Sequence, residues 1–271
     1  MTAATTVFEP AALPRPRSRF FDAVSDTITI AQRNLITLFR VPQLLVFSTI
    51  QPVIFVLMFR YVFGGAIQVP GVPYVDYLMA GVFAQTVAFG AMNTAIGLST
   101  DAQSGLIERF RTLPMARSAV LAGRTLADAV RNVFVVLLMV GVGFLVGFRV
   151  HTNIWGFLGS IALLVLFGYT LSWVFASLGL AVGNPEAAQA AAFPIMAPLV
   201  FASSAFVPVD SMPGWLQPFA RYQPLSIVVS ASRALLIGGP TATYVLQAIA
   251  WCVGILAVAA PLAVRFYRRT T

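Results

Sequence analysis

The sequence predicts an all-α polytopic membrane protein: six transmembrane helices, an N-terminal helix lying in the interface, a short inner helix and re-entrant helices at the outer face. Three observations carry this. Of the 271 residues, 59% are hydrophobic and only 10% charged, with a mean hydropathy of +0.86, more apolar surface than a water-soluble domain of this length can hide. Six apolar runs reach the roughly 20 residues that a hydrocarbon core demands. The arginines gather at the ends of those runs, where positive charge sets orientation.

Residues 1–19 are polar and proline-containing, with Arg15, Arg17 and Arg19. No apolar core with a cleavage site follows closely enough for a signal peptide, so a cytoplasmic tail is expected. Over 20–41, Phe21, Val24, Ile28, Ala31, Leu35 and Leu38 recur at helical spacing among Asp22, Asp26, Arg33 and Arg40, the pattern of an interfacial helix. A cytoplasmic extension of the first membrane helix is the alternative, against which Pro42 argues mildly.

Residues 42–264 form the transmembrane domain. The predicted spans are Leu44 to Phe63, Tyr77 to Ser99, Asn132 to Phe148, Ile154 to Val182, Ala187 to Phe206 and Tyr244 to Val264. The third is short, and Arg124, Asp128 and Arg131 just before it predict a charged cytoplasmic turn. The fifth is interrupted by Pro194 and Pro198 and thinned by alanines and serines, which lets another helix approach closely. Residues 265–271, with Arg265, Arg268 and Arg269, are the C-terminal tail. Placing both termini in the cytoplasm assigns the arginines from Arg15 to Arg40, from Arg109 to Arg131 and from Arg265 to Arg269 to that side. Only Arg60, Arg149, Arg221 and Arg233 then fall outside.

Two connecting segments stand apart. The inner loop 100–119, TDAQSGLIERFRTLPMARSA, is the one long polar run between apolar stretches. Leu106, Ile107, Phe110 and Leu113 fall at helical spacing, Glu108 and Arg111 lie three apart on the polar side, and Pro114 would end the helix; an ordinary cytoplasmic loop whose arginines fix topology is the alternative. The outer segment 208–240 is too polar and proline-broken to span. Trp215, Phe219, Tyr222 and the run from Leu225 to Val229 are nevertheless too apolar to float free. Short helices dipping into the outer leaflet satisfy both facts, with Trp215 and Tyr222 at headgroup depth, and non-helical backbone there must be covered by protein or line a wet cavity; an extracellular loop resting on the bilayer is the alternative.

The composition also excludes chemistry. All seventeen basic residues other than the single histidine are arginine, so a P-loop lysine, a Schiff base or a lysine base is impossible within this chain. One cysteine, Cys252, and one histidine, His151, make neither a disulfide nor a multi-ligand metal site; a buried hydrophobe and a solvated loop residue are expected of them. Asp76, Asp128, Glu186 and His151 fall near predicted span edges, which disfavours an ion-coupled transporter. No basic stripe with interleaved aromatics points to nucleic acid, and no nucleophile–base–acid set points to an enzyme.

The inner stretch SGLIERFRTLPMARSAVLAGRTLAD and the later stretch NPEAAQAAAFPIMAPLVFASSAFVPVDSMPGWLQPFARYQPLSIVVSASRALLIGGP closely resemble the membrane subunits of type-2 ABC exporters, in the daunorubicin-resistance permease group. The likeness covers nearly the whole chain and is most specific at Glu108, Arg109, Phe110, Arg111 and Pro114, and around Met212, Pro213, Gly214, Trp215, Pro218 and Pro224.

That resemblance implies a permease without catalytic residues that dimerises, with itself or with a related permease, and sits on two copies of a separate ABC ATPase. ATP and Mg would be bound by that partner, and this chain would hold no cofactor or metal. Leu106, Ile107, Glu108, Arg109, Phe110, Arg111, Leu113 and Pro114 would form the coupling helix, with 20–41 as the connecting helix beside it. Met212, Pro213, Trp215, Phe219 and Tyr222 would form an outer gate in a bacterial plasma membrane. Phe47, Phe55, Phe59, Phe83, Phe89, Met92, Phe193 and Phe201 would suit a pathway for a lipophilic drug, antibiotic or lipid-like molecule, although helix packing produces similar aromatic faces. A membrane enzyme or scaffold acting on lipids, and a secondary transporter, are the alternatives.

Overall fold

The computed structural model describes residues 19–40, 42–67, 69, 71–111 and 117–269. Helices dominate them, and no strand occurs among the described residues. In chain order they are α1 (Arg19–Arg40), α2 (Pro42–Leu57) continuing into a π-helical turn (Met58–Phe63), α3 (Tyr74–Gln103), α4 (Leu106–Arg111), α5 (Arg117–Val146), α6 (Ile154–Val182), α7 (Pro185–Phe201), a 3-10 turn (Val209–Ser211), α8 (Gln217–Tyr222), α9 (Pro224–Ile237) and α10 (Thr241–Arg269).

α3 is the hub. Its stripe of Ala80, Ala84, Ala88, Ala91 and Ala95 is fully buried, and small side chains let backbones close in. A Cβ on Gly179 of α6 would meet the Ala95 carbonyl oxygen at 2.3 Å, and one on Gly81 would meet that of Ala205 at 1.9 Å. α6 packs along α3 on one side and α10 on the other, while α5 carries α1. The larger core joins residues of α3, α5, α6, α7 and α9, among them Leu78, Phe83, Met139, Phe167 and Val228.

Helix ends follow local chemistry. The Asn153 side chain accepts from the Gly156 amide at the start of α6, and Gly183, at φ +70°, closes that helix in the left-handed conformation, which costs glycine nothing. Asn184 then caps α7, with Pro185 in the first turn, where its missing N–H does no harm.

Four helices are long and apolar enough to cross a membrane by length and composition: Tyr74–Gln103, Ala119–Val146, Ile154–Val182 and Thr241–Arg269. Shorter apolar helices cover Thr49–Phe63 and Pro224–Ile237. The fifth predicted span stops early: α7 has 17 residues and ends at Phe201, after Pro194 and Pro198 have each removed a helix hydrogen bond. The third span differs in the opposite sense. α5 begins at Arg117 and runs unbroken, so Arg124, Asp128 and Arg131 form no turn; they lie inside the helix and bond to α3. The tail 1–18, residues 112–116 with Leu113 and Pro114, and Thr270 and Thr271 lie outside the described residues, as do the side chains of Phe47, Phe110 and Arg111.

Candidate functional site

The bundle has two ends. At one, Gly105 takes φ +70° and lets the chain turn from α3 into α4 within two residues. Ile107 is 2% exposed and roots the six-residue helix in a cluster with Ile30 of α1, Leu98 of α3, Val120 and Leu121 of α5, Trp173 and Leu180 of α6 and Tyr267 of α10. Leu106 is half-buried, and Glu108 and Arg109 are exposed. The amphipathic pattern of the loop thus resolves into an apolar anchor and a polar outer surface, held where α1, α3, α5, α6 and α10 meet.

α1 lies beside this end. Ile30 and Ala31 are buried, and a Cβ on Gly123 of α5 would meet the Thr27 carbonyl at 2.7 Å, so the backbones of the two helices approach closely at this glycine. Val24, Ile28 and Ile36 remain exposed on α1.

The predicted pathway residues divide into two groups. Phe55 and Phe59 stack at 6.1 Å, and Phe206 joins them, its ring 4.4 Å from that of Phe59 and nearly parallel. Phe63 and Phe201 extend the set from either side. This wall is built from the α2 end and the α7 end; Phe201 and Phe193 on α7 are exposed. Phe83 belongs elsewhere: it is buried, edge-on to Phe148 at 5.9 Å. Met92 is likewise buried in the core, and Phe89 packs half-buried against it. Small neighbours on α3 draw those side chains inward.

At the other end the chain leaves α7 without regular structure before Val209. The freed backbone is served by side chains from α3 and α9, because a buried carbonyl without a partner is costly. Gln223 Nε2 donates to the Ala202 carbonyl at 2.7 Å, Tyr77 Oη to that of Ser204 at 3.1 Å and Tyr74 Oη to that of Phe206 at 3.1 Å. Ser226 Oγ accepts the Ser204 amide at 3.0 Å.

Arg233 of α9 is the centre of this network. Its Nε donates to the Tyr77 carbonyl at 3.0 Å, its Nη2 to the Ala205 carbonyl at 3.1 Å and also to that of Ser204, and its guanidinium lies 3.4 Å above the Tyr77 ring. The sequence places Arg233 among the external topology charges; the structure turns it into the protein. Its signal was present as a polar stripe on α9, Gln223, Ser226, Ser230 and Arg233, recurring at three and four residues within an apolar helix.

The predicted gate residues lie on the segment between this backbone and α9. Met212 is half-buried, Pro213 is exposed, Trp215 is 81% exposed, and Phe219 and Tyr222 are exposed on α8. Gln217 ties the Met212 carbonyl at 2.9 Å, and Arg221 pairs with Asp210 at 2.8 Å.

His151 is exposed in the α5–α6 connection and Asp76 stands at the start of α3, as the sequence places them, but the two are bonded to each other. Asp76 is 2% exposed at the start of α3 and accepts from His151 Nε2 at 2.7 Å and from the Arg149 amide at 3.0 Å, so the histidine is a bonded residue of the α5–α6 connection. Asp128 is buried as well. Asp128 departs from its predicted place at a span edge, since it lies well inside α5, and both buried carboxylates have partners.

Residues 25–237 match the family described as ABC-2 type transporter. The chain is 38% identical over 248 residues to a daunorubicin resistance ABC transporter permease protein of Streptomyces coeruleorubidus, covering 91% of this chain and 87% of that one. It is 29% identical over 226 residues to a probable doxorubicin resistance ABC transporter permease protein of Mycobacterium tuberculosis, covering 83% and 82%. It is 26% identical over 219 residues to a putative transport permease of Pyropia yezoensis, covering 78% and 74%. Sharing that family's sequence across more than half its length, the chain belongs to the ABC-2 type transporters, as a non-catalytic multi-pass membrane permease.

Proposed function

We propose that the chain is the membrane half of an ATP-driven exporter that moves a lipophilic drug, antibiotic or lipid-like molecule out of the cytoplasm or inner leaflet. Family membership implies a partner ATPase, on which ATP and Mg act. Two copies of that ATPase and two permeases complete the assembly, and both termini face the cytoplasm. α2 with its π turn and α7 complete six spans around the four long helices, α1 lies in the inner interface with Val24, Ile28 and Ile36 toward lipid, and 208–240 is an outer cap. The drug class is carried over from the relatives, whose names specify daunorubicin or doxorubicin resistance.

One observation supports the coupling role most directly. A six-residue helix with Ile107 locked among five long helices and with Glu108 and Arg109 exposed is a lever attached at its root. Force applied to such a surface reaches α1, α3, α5, α6 and α10 together. The aromatic wall of Phe55, Phe59, Phe201 and Phe206 gives a lipophilic molecule a surface to slide along.

The experiment is to purify the chain in mild detergent from its native cells, identify what accompanies it, and measure ATP-dependent doxorubicin uptake by inverted vesicles. An ABC ATPase in one-to-one ratio with the chain is expected, and Glu108→Arg should lower its recovery while leaving membrane insertion intact. Full recovery with Glu108→Arg would remove α4 from the ATPase contact. The chain alone, active without ATP, would overturn the exporter reading.

A further inference from the structure

α3 and α5 carry polar groups in register along their shared face. Gly90, Thr94, Gly97 and Asp101 recur on one side of α3, and Arg124, Asp128 and Arg131 on the facing side of α5. Arg124 Nη1 donates to Asp101 Oδ2 at 2.6 Å, and Arg131 Nη2 to the Gly90 carbonyl at 2.6 Å. Arg131 Nη1 pairs with Asp128 Oδ1 at 3.2 Å, and the Thr94 hydroxyl donates to the other Asp128 oxygen. The glycines make room for this: a Cβ at residue 97 would stand 1.5 Å from Arg124 Nη2.

Apolar side chains would hold two helices together at lower desolvation cost than two arginines and two aspartates in helices of this kind. Paired charges supply register instead. Apolar faces can slip past one another at little cost, whereas a slip of one turn here separates every donor from its acceptor. Asp101 stands five residues before Leu106, so the lowest rung of the seam is also the root of α4.

We propose that this seam makes α3 and α5 one transmission body, with Asp101 and Arg124 as positioning residues that fix α4 relative to the bundle. A push on α4 is then passed up both helices and is not absorbed by sliding between them. The transmission step rests on α4 being the ATPase contact; the fixing of α4 does not.

The test uses the full chain with whatever ATPase accompanies it, in lipid nanodiscs for hydrogen exchange and in vesicles for turnover. Asp101→Asn should speed amide exchange over residues 100–111 about fivefold, the loss expected of a partly buried ion pair. It should lower doxorubicin moved per ATP hydrolysed by a similar factor while ATP hydrolysis and ATPase recovery persist. The exchanged pair Asp101→Arg with Arg124→Glu should restore most of both. Unchanged exchange in Asp101→Asn overturns the proposal, as does altered exchange with an unchanged drug-to-ATP ratio. If the wild-type chain brings no ATPase, the exporter reading fails, and the exchange measurement alone judges whether the seam fixes α4.

Discussion

The two ends of the bundle are held by different chemistry. At the end that carries α4, side chains on two intact helices bond mostly to each other: Arg124 to Asp101 and Thr94 to Asp128, with Arg131 bridging Asp128 and the Gly90 carbonyl. At the end that carries α8, side chains bond chiefly to backbone that has left its helix, and Tyr74, Tyr77, Gln223 and Arg233 serve the carbonyls of residues 202–206. The first arrangement fixes the register of regular elements. The second serves carbonyls where the regular helix has stopped. A whole helix keeps its register along its length, and an irregular segment is tolerated where its carbonyls are satisfied.

The sharpest break of this comparison is Arg233→Met. The substitution leaves the Tyr77 and Ala205 carbonyls without their charged donor and removes the cation from the Tyr77 ring. A loss of about 3 kcal/mol is expected from unserved buried acceptors. Thermal unfolding of the purified protein in detergent would show it as a lowered midpoint. A midpoint equal to wild type would mean the irregular segment holds its shape without Arg233.

Arg233 also shows where the sequence was legible. The order of the apolar runs and the short helix at 106–111 could be read from hydropathy and proline positions, because those are local properties; the structure holds four helices long and apolar enough to span, against the six that the sequence predicts. The identity of the covering groups could not be read, since Tyr77 and Arg233 are 156 residues apart and only the fold brings them together. Helix lengths failed in both directions for a related reason. A run of charges at 124–131 looks like a helix end until α3 supplies partners, and an apolar run to Phe206 looks like a span until two prolines act on its hydrogen bonds. Only the likeness to type-2 exporters led to the expectation of an ATPase contact, which no pattern of spacing reveals.

A smaller effect separates backbone from side-chain contacts. Gly81→Ala places a Cβ 1.9 Å from the Ala205 carbonyl oxygen, and backbone must move to relieve it; Gly97→Ala meets the end of a flexible arginine. About 2 kcal/mol is expected at Gly81, the middle of the usual overpacking range, and clearly less at Gly97. Unfolding midpoints of the two variants, measured side by side, give the difference. Equal losses would mean that the inner seam is as rigid as the outer backbone, and the contrast between the two ends would have to be abandoned.

The smallest change in stability, and the one that bears most directly on the cap, is Trp215→Ala. Trp215 is 81% exposed, so its removal should leave the unfolding midpoint within about 0.5 kcal/mol of wild type. An exposed indole at the outer face is nevertheless suited to headgroup depth, where its apolar body and N–H are both satisfied. If it anchors the cap in the outer leaflet, the variant assembles normally with its ATPase yet moves doxorubicin more slowly into inverted vesicles. Unaltered uptake would make 208–216 a loop resting on the bilayer, and would confine any gating to the buried network around Arg233.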